Sequence, residues 1–228
     1  MSTEIFDKAA ADWDKKPMRL QLAASVASAI REAIPLHREM HALEIGCGTG
    51  LVTLALCRNV GTILATDTST GMLEALRKKL VELGVENVRP SLLDLAANEA
   101  IPGGEKFHLI YSSMALHHIE DTAALLRACA RLLEPGGYLA IADLEQEDGT
   151  FHSDMAGVRH LGFNPSSLIS LAADCGFSNI TSRRAHTVQK ENSQGIQRSF
   201  PVFLLTAQKA EVAHHSGSDR DNHQFRGK

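Results

Sequence analysis

The stretch Leu43-Glu44-Ile45-Gly46-Cys47-Gly48-Thr49-Gly50 is an apolar strand that runs into three alternating glycines. A helical run, Leu51 to Arg58, follows it directly. Glycine is needed where the backbone turns tightly with positive φ, or where a ligand lies against bare backbone. A strand, a glycine-rich turn and a helix N-terminus in this order predict the ligand-binding turn of a doubly wound α/β domain.

The spacing of the glycines narrows the kind of ligand. A dinucleotide fingerprint places its last glycine at position 51, but that position is Leu51. An acidic residue followed by G-x-G-x-G instead resembles motif I of the class I S-adenosylmethionine-dependent methyltransferases. The next strand, Gly61 to Thr66, ends at Asp67, about 20 residues beyond the glycines, where a carboxylate can accept hydrogen bonds from both ribose hydroxyls. NAD enzymes share this feature, so Asp67 alone does not discriminate.

Later segments strengthen the resemblance. Asp67-Thr68-Ser69-Thr70-Gly71-Met72-Leu73 looks like the methyltransferase version of the second strand's end, and a third strand, Val88 to Leu93, ends at Asp94-Leu95. A fourth strand, Phe107 to Tyr111, enters Ser112-Ser113-Met114-Ala115-Leu116-His117-His118, which resembles the family's segment, although His108 replaces the usual Asp. Leu132-Leu133-Glu134-Pro135-Gly136-Gly137 resembles the family's turn into strand five. These ordered landmarks identify the chain as a member of this family.

The resemblance implies an α/β fold with a doubly wound, seven-stranded, mostly parallel sheet (the Rossmann-like methyltransferase fold), an antiparallel last strand and an N-terminal helical lid. We expect the lid in residues 1–36, the methyltransferase domain in 37–210 and a disordered tail in 211–228. One short helix is expected over Ile5 to Lys16, strand five over Tyr138 to Ala142 and a linking segment over Asp143 to Thr150. Asn164 is expected to start a helix.

The resemblance also implies S-adenosylmethionine as cofactor, with S-adenosylhomocysteine as product. Gly46, Cys47 and Gly48 are expected at its amino acid and ribose end, and Glu44 at its amino group, directly or through water; the alternative for Glu44 is a solvated strand residue. Asp67 and Thr68 are expected to contact the ribose, and Met72 to pack near the adenine. Asp94 and Leu95 are expected to contact the adenine, and the backbone of Ser112 to line the methyl-transfer pocket. A helix cap is the alternative role for Asp94.

The segment before the first strand resembles the N-terminal extension of small-molecule methyltransferases, including those of ubiquinone and menaquinone biosynthesis. There, an aromatic and a basic residue close over the cofactor. Trp13, the only tryptophan, and Arg19 are the candidates, because a guanidinium can bind the cofactor carboxylate with a bidentate fork. The alternatives are a packing role for Trp13 and a solvated helix face for Arg19.

Histidine is the candidate general base, because its ordinary pKa lies near neutrality. His117 follows strand four, and His152 follows strand five, so both are expected at the substrate crevice as base or positioning groups. At most one of the adjacent His117 and His118 is expected to face the pocket. His152 and His160 flank a typical place for substrate contacts. No acidic or cysteine residue completes a recognisable metal-ligand spacing, so we expect no metal site.

The composition bounds the remaining possibilities. A net charge of −4 and an isoelectric point near 6.2 argue against a nucleic-acid partner. The four scattered cysteines and the absence of a signal-peptide pattern favour a cytoplasmic protein, and the uncharged run from Leu20 to Ile30 is too short for membrane insertion. We expect a monomer or a homodimer.

The prediction that results is a methyltransferase acting on the O, N or C atom of a small organic acceptor. Two alternatives stay open at this point. One is a catalytically silent cofactor-binding or regulatory protein on the same fold, because a fold does not guarantee chemistry. The other is an NAD(P)-dependent oxidoreductase, against which Leu51 in place of the third glycine speaks.

Overall fold

One mixed sheet organises the chain. The structure is a computed structural model that describes residues 3–97, 99–152, 154–191 and 195–210. The strands are β1 (His41–Ile45), β2 (Thr62–Asp67), β3 (Val88–Leu92), β4 (Phe107–Ser113), β5 (Leu133–Leu144), β6 (Phe177–Glu191) and β7 (Gln197–Lys209). Their order is β3-β2-β1-β4-β5-β7-β6; β1 to β5 pair in parallel, and β7 is antiparallel to β5 and β6. The predicted fold class is confirmed.

The helices are α1 (Thr3–Ala9), α2 (Pro17–Ala33), α3 (Leu51–Leu56), α4 (Thr70–Leu83), α5 (Thr122–Leu132) and α6 (Pro165–Asp174). Side chains cap several of their N-termini, because the first backbone N–H groups of a helix lack partners within it. Ser69 accepts a hydrogen bond from the Met72 amide at α4, and Asn164 accepts from the Ser166 and Ser167 amides at α6. The predicted helix start at Asn164 is therefore confirmed.

Two element boundaries differ from expectation. The single helix expected over Ile5 to Lys16 is α1 followed by a tighter 3-10 helix over Ala10–Lys15. Strand five begins at Leu133 and ends at Leu144, because Asp143 and Leu144 still pair with β7, so the linking segment begins later than predicted. The tail predicted for residues 211–228 lies outside the described residues.

Two apolar layers cover the sheet. Side chains of neighbouring residues in a strand point to opposite faces of the sheet. Tyr111 therefore packs on the face covered by α2, α3 and α4, and Ile110 on the face covered by α5 and α6. β1 lies between β2 and β4. The strands β2 and β3 are added on one side of β1 and the later strands on its other side, so the strand order reverses at β1. In open α/β sheets, ligands bind outside the carboxyl ends of the strands at such a point. Within the described part of the chain, no helix is long and apolar enough to span a membrane.

Candidate active site

A cavity of about 430 Å³ lies at this switch point. Its walls come from the turn after β1, from the ends of β2 and β4, and from the loop after β3. The N-terminal helices, the segment around His152 and Lys190 at the end of β6 complete it. The volume falls within the ordinary range for small-molecule sites, roughly 300–1,000 Å³. The cavity is the candidate active site.

The three glycines of the turn have different roles. Gly46, Gly48 and Gly50 all have positive φ, at 71°, 53° and 81°. A Cβ atom on Gly46 would lie 2.5 Å from the Ala115 Cβ, and one on Gly50 would lie 2.3 Å from the Leu76 Cδ1. A Cβ on Gly48 would meet nothing within 4 Å, and Gly48 lines the cavity. Close packing therefore leaves no room for a side chain at Gly46 or Gly50. At Gly48 the space beside the backbone is open, so a ligand can approach it there.

Asp67 holds the turn in place from the end of β2. Its Oδ2 accepts a hydrogen bond from the Gly48 amide at 2.7 Å, and its Oδ1 accepts one from the Ser69 amide at 2.8 Å. Burial raises the pKa of this carboxyl, and the bonds from the amides oppose the rise. Each carboxylate oxygen keeps a second acceptor position. The neighbouring Thr68 and the buried Met72 line the cavity, as does the buried Cys47 of the turn, so these predicted contacts are brought together.

Glu44 lies at the floor of the cavity and is 2% exposed. Its carboxyl group accepts hydrogen bonds from the Thr53 hydroxyl and, at 3.0 Å, from the Tyr111 hydroxyl. Burial raises the pKa of Glu44 to about 8. This carboxyl is therefore mostly protonated at pH 7, and a cation placed beside it would favour its ionised form. Glu44 is not the solvated strand residue that was the alternative.

The predicted adenine and methyl-pocket residues differ in their placement. Asp94 and Leu95 line the cavity, while the Asp94 Oδ1 accepts hydrogen bonds from the Ala96 and Ala97 amides at 3.0 and 3.2 Å. Asp94 thus caps a short turn, its alternative role, and faces the site as well. The Ser112 hydroxyl is buried and donates to the Ile45 carbonyl at 2.9 Å.

The cavity wall beyond Ser112 is formed by Ser113, Met114 and Ala115. Met114 has a φ of 56°, a left-handed conformation that is unfavourable for a residue with a long side chain. Its backbone amide donates to the Ala142 carbonyl at 2.8 Å, which fixes this turn against β5. Strained backbone of this kind concentrates at functional sites.

Trp13 and Arg19 lie together on the cavity wall. The Arg19 Cζ stands 3.5 Å from the centre of the Trp13 ring, and the Arg19 Nη1 donates to the Trp13 carbonyl at 3.1 Å. Phe6 of α1 joins them, with its ring centre 6.1 Å from that of Trp13 and 5.2 Å from that of His118. The aromatic and basic pair expected over the cofactor is therefore positioned at the cavity.

Two aspartates that the sequence reading did not identify hold the N-terminal helices against the body of the protein. The Asp7 Oδ1 accepts hydrogen bonds from the Ser69 hydroxyl at 2.6 Å and from the Gly71 amide at 2.8 Å. The carboxylate of Asp14 accepts from the Thr49 hydroxyl at 2.6 Å and pairs with Lys79 at 2.7 Å. Their partners lie 35 to 65 residues away in the sequence, so no local pattern could have revealed these contacts.

His117 is the group best placed for proton transfer. It is 1% exposed, and its Nδ1 lies 2.7 Å from the Oδ1 of Asp143, which is fully buried. An ionised carboxylate only accepts hydrogen bonds, so His117 carries its proton on Nδ1, and in the neutral ring Nε2 has a free lone pair. That Nε2 is buried and has no hydrogen-bond partner among the described residues.

Asp143 itself was predicted only as the start of a linking segment. β4 and β5 are parallel neighbours, so the carboxyl end of one lies beside the carboxyl end of the other. An acidic residue at the end of strand five therefore falls next to a histidine that follows strand four. This pairing of strand ends was the signal available in the sequence.

Three imidazoles meet at the cavity. The His117 ring centre is 4.1 Å from that of His118 and 4.9 Å from that of His152, so the expectation that at most one of His117 and His118 faces the pocket was wrong. His118 binds the Gly157 carbonyl at 2.9 Å through Nδ1. Burial and the neighbouring imidazoles lower the pKa of His118 and lower that of His152 to about 4. His160 instead binds the Ile119 carbonyl at 2.8 Å.

No metal-binding group emerges from this cluster. Among the residues that the structure describes, no three His, Cys, Asp or Glu side chains are arranged to hold a metal ion. At neutral pH, His152 is uncharged, and its buried Nε2 has no partner in the described part of the chain. The cluster therefore offers two unsatisfied imidazole nitrogens to a ligand in the cavity.

Comparisons with known proteins find methyltransferases. Residues 43–141 match the family model described as "Methyltransferase domain". An uncharacterized methyltransferase of Schizosaccharomyces pombe is 32% identical over 153 residues, which cover 61% of this chain and 54% of the relative. A ubiquinone biosynthesis O-methyltransferase of Xanthomonas campestris pv. campestris is 32% identical over 147 residues, which cover 64% of this chain and 56% of the relative. The matched part thus spans little more than half of either relative.

A solved structure supports the same fold. The phosphoethanolamine N-methyltransferase 2 of Haemonchus contortus, in complex with S-adenosyl-L-methionine, superimposes with a TM-score of 0.65. The sequence identity is 18%, and the match covers 81% of this chain and 52% of the other. At this identity the likeness establishes a shared fold.

Proposed function

We propose that this chain, whose residues 43–141 match a methyltransferase domain, is an S-adenosylmethionine-dependent methyltransferase that transfers the cofactor's methyl group to a small organic acceptor. One observation carries the proposal. A single cavity holds both the glycine turn fixed by Asp67 and the free Nε2 of His117. The turn and Asp67, which can bind a nucleoside, therefore face the same cavity as the His117 Nε2, which can accept a proton.

The residues of the cavity fit the cofactor. Asp67 keeps acceptor positions for the ribose hydroxyls, and Gly48 leaves open backbone beside them. Met72 and Leu95 supply apolar contact for the adenine, next to the Asp94 carboxylate. At the other end of the cofactor, Glu44 takes the amino group and Arg19 the carboxylate.

The N-terminal helices act in this proposal as the lid of the site. Residues of α1, of the 3-10 helix and of α2 line the cavity together with the glycine turn. The carboxylates of Asp7 and Asp14 fix them to the start of α4 and to the turn. Closure of this kind excludes water from the reacting groups, and opening is needed for cofactor exchange.

His117 supplies the proton chemistry. When bound, S-adenosylmethionine supplies an electrophilic methyl group on a sulfonium, and transfer is an in-line displacement that depends on alignment. The His117 Nε2 takes the proton of the acceptor's O–H or N–H group, while the lone pair of that atom forms the bond to the methyl carbon. The bound cofactor would supply the methyl carbon and would keep the electron pair of the carbon–sulfur bond on its sulfur. Asp143 orients the ring and stabilises its positive charge.

A small acceptor suits the available space, and the O-methyltransferase among the relatives supports an oxygen nucleophile. The cavity must hold the cofactor and the acceptor together, and the lid helices close one side of it. A macromolecular acceptor would have to reach His117 past Phe6 and Phe151, which line the cavity as well.

Isothermal titration tests the proposal. S-adenosylmethionine and S-adenosylhomocysteine are titrated into the wild type, Asp67→Asn and Asp174→Asn, the last being the same chemical change at an exposed helix end. We expect micromolar binding to the wild type and to Asp174→Asn, and a loss of at least about tenfold for Asp67→Asn, because a donor replaces one acceptor oxygen. Absence of binding to the folded wild type would refute the cofactor assignment. Binding without S-adenosylhomocysteine formation on any acceptor would favour the silent binding protein.

A further inference from the structure

Three cationic side chains line one region of the cavity. Lys16 lies exposed at its mouth, Arg19 follows in the first turn of α2, and the partly buried Lys190 approaches from β6. α2 begins between the first two, at Pro17, with no acidic residue in its first turn and no side-chain cap at Lys16. The positive end of a 17-residue helix therefore adds to the potential of the three cations.

These cations lack carboxylate partners. Elsewhere in the described residues, lysine and arginine form ion pairs, such as Lys79 with Asp14 and Arg198 with Asp148. Within the same part of the chain, no carboxylate lies within the 4.0 Å ion-pair distance of Lys16, Arg19 or Lys190. Asp14 and Glu147 act on Arg19 and Lys190 only from beyond that distance, so the three positive charges create a potential that an anionic ligand would relieve.

Lys190 shows this repulsion most directly. Its Nζ donates to the Phe151 carbonyl and lies 5.1 Å from the centre of the Phe151 ring. Burial and the charges of Lys16 and Arg19 lower its pKa, and Glu147 partly opposes the shift. The Glu147 Oε2 accepts hydrogen bonds from the Thr150 and Phe151 amides, and the buried Oε1 has no hydrogen-bond partner among the described residues, so Glu147 balances the Lys190 charge without pairing with it. An anion in the cavity would complete the coordination of the Lys190 ammonium.

The cationic region lies beside the proposed base. Phe151, which Lys190 contacts, precedes His152 in the chain, and the His152 ring centre is 4.9 Å from that of His117. The charge of Lys190 also contributes to the low pKa of His152. The buried Nε2 of His117, which has no hydrogen-bond partner among the described residues, is an independent sign that a polar ligand group belongs here.

We infer that the methyl acceptor is a small organic anion. Its carboxylate, or a comparably acidic oxygen group, binds Lys16 and Lys190, and its nucleophilic atom faces the His117 Nε2. The inference rests on the proposed function and narrows its substrate class. An acceptor that enters as an ammonium ion is disfavoured in this region, because it would face three cations and a helix N-terminus, although Asp154 also lines the cavity.

The cofactor also carries a carboxylate, so the cations that bind the cofactor have to be distinguished from those that bind the acceptor anion. Arg19, whose Cζ lies 3.5 Å from the centre of the Trp13 ring, is assigned to the cofactor, whereas Lys16 and Lys190 are assigned to the acceptor. If this division holds, neutralising Lys190 weakens acceptor binding and leaves the affinity for S-adenosylhomocysteine unchanged.

The test compares two probes of nearly equal shape, 4-hydroxybenzoate and its neutral amide, 4-hydroxybenzamide. Each is titrated calorimetrically into protein saturated with S-adenosylhomocysteine, for the wild type, Lys190→Gln, Lys16→Gln and the control Lys78→Gln. Lys78 is a 78% exposed lysine on α4. We expect the anion to bind the wild type at least about tenfold more tightly than the amide, and Lys190→Gln to remove most of that difference. Lys78→Gln should behave as the wild type.

The inference is overturned if the two probes bind the wild type equally, or if neither binds up to about 10 mM, a concentration at which even weak sites fill. It is also overturned if Lys190→Gln weakens the binding of S-adenosylhomocysteine while 4-hydroxybenzoate still binds more tightly than the amide. The charge of Lys190 would then serve the cofactor. If S-adenosylhomocysteine does not bind at all, the proposed function fails. The same probes titrated into the free protein then decide whether the anion site exists.

Discussion

Replacing Asp143 with asparagine tests the proton chemistry of the site at its most buried point. The Asp143 Oδ1 accepts hydrogen bonds from the His117 Nδ1 and the Leu144 amide, each at 2.7 Å, and its Oδ2 accepts from the His117 amide at 3.2 Å. An asparagine has one acceptor oxygen and one donor nitrogen at these two positions. In either orientation of the amide, a donor replaces an acceptor.

The two orientations have different consequences. If the amide nitrogen takes the Oδ1 position, it faces the His117 ring and forces the ring proton onto Nε2, which removes the free lone pair. If it takes the Oδ2 position, it opposes the His117 amide, and a buried donor is left without a partner. We expect a loss of about 1–3 kcal/mol in the free energy of unfolding. In both orientations the neutral amide no longer stabilises the positive charge of the protonated His117 ring; since general-base catalysis contributes roughly 10² to 10⁴ in rate, turnover should fall by at least about 10²-fold.

Nitrogen-detected NMR of the histidine rings measures the outcome without knowledge of the acceptor. In the wild type, the His117 Nδ1 should carry the proton at neutral pH, and in Asp143→Asn the tautomer should change or become mixed. Urea unfolding gives the stability, and Asp174→Asn serves as the matched change at an exposed site. A folded Asp143→Asn variant that keeps the Nδ1–H tautomer and a turnover within twofold of the wild type would refute this role.

Three further perturbations separate structure from ligand binding. Gly48→Ala and Gly84→Ala place a side chain at similar positive φ with no steric contact, so both should cost about 1–2 kcal/mol of stability. Only Gly48→Ala should abolish S-adenosylhomocysteine binding in calorimetry, and equal affinities would contradict its role. At pH 7, binding of S-adenosylmethionine should release up to about one proton, because the ligand's amino group lowers the pKa of Glu44 from about 8. Calorimetry in buffers of different ionisation enthalpy measures this proton, which Glu44→Gln should eliminate. Asp14→Ala should speed the dissociation of S-adenosylhomocysteine about fivefold, since a lid contact worth about 1 kcal/mol is lost. Stopped-flow fluorescence of the single tryptophan reports that rate, and an unchanged rate would contradict the lid.

The fold and the cofactor half of the site were predictable, because their signals are local in sequence. Glycine spacing, apolar strands and acidic strand ends recur within short stretches, and each strand end in a parallel sheet points to the same edge. The turn at Gly48 and the carboxylate at Asp67 therefore followed from the sequence, and the structure places them 2.7 Å apart.

The other half of the site depends on contacts that no local pattern contains. Asp143 lies 26 residues from His117, and Asp7 lies 62 residues from Ser69. Because adjacent residues point in different directions, at most one of His117 and His118 was expected to face the pocket. A 3-10 helix over Leu116–His118 brings both rings to the cavity instead, because its tighter winding changes the angle between successive side chains.

The order of the sheet also explains how one cavity can distinguish its two ligands. Glu44, Asp67 and Asp94 lie at or just after the ends of β1, β2 and β3, which form one half of the sheet, whereas Lys190 belongs to β6 at the opposite edge. The end of the cavity near β1, β2 and β3 therefore carries three carboxyl groups, of which Glu44 is mostly protonated at pH 7, and the other end carries the Lys190 ammonium. We propose that the first end orients the ribose hydroxyls and ammonium group of the cofactor and that the second end orients an anionic acceptor. His117, after the central β4, lies between the two ends, where the methyl group has to pass from one ligand to the other.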